Sequence, residues 1–225
     1  MFRFIELLEA QTKAVDQAGF KATLLNMLER LEAPSGAIEM RFPFFVKKTA
    51  PVSGVQSQLD YGVCWRGSVS DEGRYCFGMR VPVPATSLCP CSNEISAYGA
   101  HNQRSHISIE TELAGDLAIE ELITIADRSA SCEAYGLRKR PDEKHVAERA
   151  HNNPIFVEVL VRDVALALNQ EPRVGAYVVD AENFESIHNH SAFARVMRPR
   201  SADRPIQGEG WQGLTLQLLV TGGKA

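Results

Sequence analysis

No apolar run in this chain approaches the roughly 20 residues needed to cross a bilayer, because charges interrupt every stretch first. A membrane span is therefore not expected. The start, MFRFIELLEAQTK, has none of the basic opening, apolar run or small-residue cleavage site of a secretory signal. Cysteine is sparse and odd in number. Five residues without framework spacing argue against a disulfide-stapled secreted fold and point to a reducing, cytoplasmic compartment. An excess of basic charge is missing too: 24 Lys and Arg against 28 Asp and Glu leave a net charge of −4. That sign is wrong for a nucleic-acid binder, although a few converging cations can still hold a small anion. What is present is ordinary. With 225 residues, 44% of them apolar and 23% charged, the chain can bury the core of one large domain or two small ones.

The hydrophobic period changes along the chain. Phe4, Leu7, Leu8 and Val15 fall near one face of a first helix; Phe20, Leu24, Met27, Leu28 and Leu31 line a second, ended by Pro34 and Gly36. Alternation then takes over. Ile38, Met40, Phe42 and Phe44 form one strand pattern, and Leu59, Tyr61, Val63 and Trp65 another. Tyr75 to Val83 and Ile107 to Leu113 give two more. Helical spacing returns at Ile119, Leu122, Ile123 and Ala126, and Pro154 is placed to start a last segment running to Leu168. Two strands follow, Val174–Val179 and Ile187–Val196. The order αα-ββ-ββ-αα-ββ contains a complete ββααββ unit preceded by ααββ, the same unit without its leading hairpin. An α+β fold is expected, with antiparallel hairpins and the helices on one face. The tail from Arg198 reads as a linker and one short strand, LTLQLLV.

Three clusters carry chemistry. LCPCSNEISAYGAHNQRSH, residues 88–106, places Cys89 and Cys91 two apart, so that an extended backbone would project both thiols to one side, with His101 and His106 close behind. Thiol and imidazole together suit a borderline transition metal; the alternative is two buried thiols and two surface histidines. YGLRKRPDEKHVAE gathers Glu143 and His145 beside Arg138, Lys139, Arg140 and Lys144, which by itself also describes a solvated helix start. In NFESIHNHSAF, His188 and His190 share one face of the expected strand, an arrangement suited to proton transfer or metal binding. GEGWQG lacks the strand–loop–helix setting of a dinucleotide fingerprint, and the sequon at Asn189 has no meaning in a cytoplasmic protein.

Together with FPFFVKKTAPVSG and NPIFVEVLVRDV, these three clusters resemble GTP cyclohydrolase I of type IB from about residue 2 to residue 197. The resemblance implies the bimodular tunnel fold. Residues 1–68 would form a first module without its leading hairpin, 69–197 a complete second module, and 198–225 a tail. An edge left open by the absent hairpin would recruit another chain or the strand near Leu214–Val220. The resemblance also implies a homo-oligomer with active sites at subunit boundaries. The implied reaction converts GTP and water to 7,8-dihydroneopterin triphosphate and formate, which leads to folate and 7-deazaguanine products.

By the same resemblance, Cys89, His101 and Glu143 are expected to hold a divalent metal (Zn, Mn or Fe), completed by solvent or His188. Cys91 is the expected substrate-facing cysteine, its thiolate favoured by a metal or cationic neighbour. His188 and His190 are expected to move protons, and Glu158 to anchor guanine through two acceptor oxygens. Lys47, Lys48, Arg104, Arg138, Lys139 and Arg140 are candidates for the triphosphate. The competing expectations are another tunnel-fold enzyme acting on a purine or pterin, such as a nitrile reductase, and a non-catalytic zinc-stabilised binding protein.

Overall fold

The computed structural model describes residues 15–95, 97, 102–186, 189–199 and, as backbone, 215–222. The expected first helix lies almost wholly outside these residues. Helix α1 (Gln17–Leu31) starts where the Asp16 carboxylate accepts the Gly19 amide, and ends at Glu32 in the left-handed region. Its buried stripe is Phe20, Leu24 and Leu28, while Leu31 is exposed.

Strands β1 (Gly36–Thr49) and β2 (Gln56–Val69) pair antiparallel from Gly36↔Val69 to Thr49↔Gln56. The turn between them needs Gly54 at φ +68°, a conformation that disfavours any Cβ. Strand β3 (Tyr75–Leu88) pairs with β2 only from Cys64↔Arg80 to Val69↔Tyr75. Beyond that point a two-residue strand, β5 (Cys132–Glu133), takes the place beside β3 at Ala85 and Thr86. Strands β4 (Asn102–Leu113), β6 (Val174–Phe184), β7 (His190–Arg198) and β8 (Thr215–Gly222) complete an antiparallel sheet of order β1-β2-β3-β4-β6-β7-β8. The expected α+β class, with antiparallel hairpins, is what forms.

Helices α3 (Ile119–Ser129) and α5 (Val157–Asn169) pack on the same face as α1. Inward strand residues such as Tyr61, Trp65, Met79, Val81 and Ile109 join Phe20, Leu122, Leu160 and Val164 in one core. Edge-to-face contacts of Trp65 with Phe20, Phe42 and Phe77, at centroid separations of 5.2–5.8 Å, fix its α1 end. The outward face is polar instead, with ion pairs such as Arg66–Glu39 and Arg195–Asp180. Helix α4 (Arg140–Asn152) covers a smaller cluster built on Leu88, and α2 (Pro90–Ile95) is a short turn of helix after β3.

Two expectations change. The last histidine-bearing strand begins at His190, not at residue 187, because β6 runs on to Phe184 and a turn must fit between them. The C-terminal strand, one of the two partners expected for the open edge of the first hairpin, pairs instead with β7 at the opposite edge; β1 is the other edge among the described residues. Strands β2 and β3 are hydrogen-bonded neighbours across residue 68, within one continuous sheet. No helix among the described residues is long and apolar enough to cross a membrane.

Candidate functional site

Antiparallel register decides where the chemical motifs land. Leu88 at the end of β3 faces Asn102 at the start of β4, Arg104 faces Phe184, and Phe184 faces Ser191. Thr49 and Gln56 flank the β1–β2 turn at the same end. The β3–β4 and β6–β7 connections and the PVSG turn therefore share one end of the sheet. A buried polar knot underlies it: Ser105 Oγ lies 2.6 Å from both Ser87 Oγ and Asn183 Oδ1, tying β4 to β3 and β6. His190 begins β7 at this end and is half-buried, whereas His101 and His188 lie outside the described residues.

The cysteines depart from their expected backbone. Pro90 opens α2, so Cys89 precedes a helix and Cys91 sits in its first turn; they do not alternate along a strand. The Asn93 amide and the Ser92 hydroxyl both donate to the Cys89 carbonyl. The two thiols nonetheless stay in contact, Cys89 half-buried and Cys91 exposed. Partial desolvation, Cys89 and Glu94 push the Cys91 thiol above its ordinary value.

Leu88 gathers the other motifs. It packs with Val146 and Ala150 of α4, and its carbonyl accepts the Ile155 amide at 3.1 Å. The first contact brings the helix that carries Glu143 to the cysteine-bearing turn. The second holds the start of α5, where Glu158 lies half-buried in the first turn without an ion pair or hydrogen bond among the described residues. Glu143 is exposed and, among the described residues, is held only by Arg140 at 3.0 Å, a side chain itself 94% exposed. Such a pair is worth about 0–1 kcal/mol and yields readily to a stronger partner. A half-buried thiol and an available carboxylate fit a borderline divalent ion, with an imidazole as the natural third donor.

Where β2 parts from β3, a groove of about 430 Å³ opens, lined by Leu59, Pro84, Arg104, His106, Tyr135 and Arg138. Two of the expected phosphate ligands, Arg104 and Arg138, thus share one recess; His106 joins them, its ring 5.0 Å from that of Phe184. A larger hollow of about 610 Å³ lies on the polar sheet face around Arg66, Gly78 and Arg198 and contains none of the candidate residues. The segment after β5 crosses the groove by close approach: a Cβ at Gly136 would meet the Gln58 carbonyl at 2.6 Å, and the Leu137 amide donates to Ser57 Oγ. Lys139 and Arg140 are exposed beside it, as is Lys47 on β1.

Lys48 is a correction. Strand alternation turns it inward, in line with Phe42, Phe44 and Val46, where it meets Asp127 of α3 at 2.5 Å and Glu133 of β5 at 3.3 Å. Its side chain is 8% exposed, so it is committed to protein carboxylates and unavailable to a phosphate. Burial works against its charge, yet Asp127, Tyr61 and Glu133 outweigh it and raise the Lys48 pKa. Asp127 is itself pushed up, because burial outweighs the help of Lys48; its Oδ1 has no hydrogen-bond partner among the described residues. The 2.5 Å contact favours the ionised pair. Tyr135 donates to Glu133 at 2.8 Å, which joins this cluster to the groove wall; burial first, then Glu133, raise its hydroxyl far above the usual range.

One residue with no assigned role in the sequence proves central. Asp142 is fully buried and accepts four hydrogen bonds: from the amides of Val52, Ser53 and Lys139 and from the Ser53 hydroxyl. Burial alone would raise its carboxyl, but the Ser53 hydroxyl and the three amides hold it well below the usual carboxylate range. An acid three residues after a helix N-cap was the signal in the sequence.

The family model for type I GTP cyclohydrolase folE2 matches residues 1–194. GTP cyclohydrolase FolE2 of Paraburkholderia xenovorans (strain LB400) is 60% identical over 202 residues, covering 90% of this chain and 75% of that protein. The FolE2 proteins of Azoarcus sp. (strain BH72) and Thiobacillus denitrificans are 55% and 57% identical, covering 89% and 87% of this chain and 74% and 72% of theirs. Among solved structures, urate oxidase from Bacillus sp. TB-90 aligns over 98% of this chain and 77% of its own at a TM-score of 0.46 and 10% identity, too distant to argue from. With a family model spanning nearly the whole chain and relatives this similar, the chain belongs to the type I GTP cyclohydrolase FolE2 family.

Proposed function

We propose that this FolE2-family enzyme hydrolyses GTP to 7,8-dihydroneopterin triphosphate and formate, as a cytoplasmic homo-oligomer of the type IB class with its active sites at subunit boundaries. The single observation that supports a chemical site is convergence. The Cys89–Cys91 turn, the helix that carries Glu143 (through Val146 and Ala150) and the segment leading into the Glu158 helix (through Ile155) all meet at Leu88. The sheet order is consistent with two tunnel-fold units side by side, β1-β2 and β3-β4-β6-β7.

In this reading Cys89, His101 and Glu143 hold one divalent ion, Zn, Mn or Fe. When bound, such an ion would supply Lewis acidity toward the weakly electrophilic C8 of guanine and toward water. The remaining work falls to the chain. Glu158 accepts from guanine N1–H and the exocyclic amine, and its position in the first turn of α5 lets the helix N-terminus favour its charge. Arg104 and Arg138 of the groove, with Lys47, Lys139 and Arg140, bind the triphosphate; Lys48 does not. Cys91, His188 and His190 transfer the protons of ring opening, deformylation and reclosure.

Metal analysis of variants tests the ligand set. Cys89→Ala and Glu143→Ala should lose metal and turnover together, whereas Cys91→Ala should lose turnover and keep metal. A Cys91→Ala protein empty of metal beside a fully loaded Cys89→Ala protein would reverse the two thiols.

A further inference from the structure

The β1–β2 turn and the start of α4 are about ninety residues apart in sequence, yet one buried carboxylate joins them. Asp142 Oδ1 accepts the amides of Val52 at 2.9 Å and Ser53 at 2.8 Å. Its Oδ2 accepts the Ser53 hydroxyl at 2.6 Å and the Lys139 amide at 2.8 Å. No other side chain among the described residues receives as many hydrogen bonds from a turn so remote. The groups on either side of it are Lys139, Arg140 and Glu143 on α4, and Lys47 just ahead of the turn. Among the described residues Glu143 itself is tethered only by an exposed arginine. Its place therefore depends on how firmly the first turn of α4 is fixed, and the only buried side chains of that helix are those of Asp142, Val146 and Ala150.

We propose that Asp142 is a positioning residue of the active site: it locks the 51–54 turn to the first turn of α4, so that Glu143 is presented for metal binding and Lys139 and Arg140 for the phosphate chain. The inference rests on the assignment of Glu143 as a metal ligand. Asp142 touches neither metal nor substrate in this scheme. Asparagine cannot replace it, because the amide nitrogen that supplants Oδ2 would face the Lys139 N–H donor to donor. Outer partners that orient a ligand in this way are worth on the order of 10–100-fold in metal affinity.

The test is Zn²⁺ affinity of the full chain, measured by competition with a chromophoric chelator, for Asp142→Asn, Ser53→Ala and Ser53→Thr, with thermal unfolding of each. Asp142→Asn should weaken Zn²⁺ by about 10–100-fold. Ser53→Ala, which removes one of the four bonds and keeps the fold, should weaken it by less, and Ser53→Thr, which restores the hydroxyl, should recover it. Arg173→Ala, which breaks a remote clamp on Glu121 and Glu171, serves as a control that lowers Tm without moving affinity. If Ser53→Ala binds Zn²⁺ like wild type, or if Arg173→Ala weakens binding to the same extent, the role of Asp142 is structural only. Wild-type protein that binds Zn²⁺ no more tightly than Glu143→Ala would instead overturn the ligand assignment beneath the proposal.

Discussion

Lys48→Met separates two readings of the same lysine. A methionine of similar length fills the inward space but leaves Asp127, 12% exposed and without a partner at Oδ1 among the described residues, as an unpaired buried carboxylate. Removing one member of a buried ion pair costs about 3–5 kcal/mol. The lower end is expected, because Glu133 keeps Tyr135 as a donor and is 29% exposed. For a chain of this size each kcal/mol shifts Tm by roughly 2–4 °C, so a fall of roughly 6–12 °C should appear in thermal unfolding. Lys48→Met/Asp127→Leu, which removes both charges, should regain most of that loss. KM for GTP, measured below the new transition, should stay near the wild-type value. An unchanged Tm with a raised KM would refute the structural reading and return Lys48 to the phosphate site.

Glu158→Gln exchanges one acceptor oxygen for a donor facing the guanine N–H groups, at a cost of roughly 1–3 kcal/mol or more if charged. GTP binding should weaken at least about tenfold by calorimetry while metal content holds; unaltered binding would remove Glu158 from the site. Acid stability should show a defined window. Glu171, held by Arg173, is depressed from 4.5 to about 2, so its contribution is complete above pH 4.5 and is lost as pH falls through about 2. Glu171→Gln should flatten that part of the stability–pH curve, and an unchanged slope would show that the clamp is not coupled to folding.

The sequence made the strand and helix periods plain because one face of each element is buried. Phe20, Leu24 and Leu28 line the core as spaced, Ile38 to Phe44 alternate as expected, and the pattern runs on to Val46. That same alternation, continued two residues further, points Lys48 inward; its charge made it look like a phosphate ligand, and only the distant Asp127 shows otherwise. Short elements were the hardest to read. A two-residue strand at Cys132 carries no period, and a helix of six residues after Leu88 is set by Pro90 rather than by an apolar stripe. The groove arises from the partial pairing of β2 with β3, a property of the whole sheet. Asp142 was hidden because PDEKH reads as a solvated charge run, and nothing local reveals the turn at Val52 and Ser53 that claims its carboxylate.

The central claim, that this chain opens the guanine ring of GTP with a divalent ion held at the Leu88 end of the sheet, is tested most directly by mass-spectrometric product analysis of GTP incubated with chelated and metal-reloaded enzyme. Formate and 7,8-dihydroneopterin triphosphate should form only after Mn²⁺, Zn²⁺ or Fe²⁺ is restored, and neither product should form with Cys89→Ala under any of the three. Full turnover in chelated enzyme, or a reloaded enzyme that binds GTP and returns it unchanged, would contradict it.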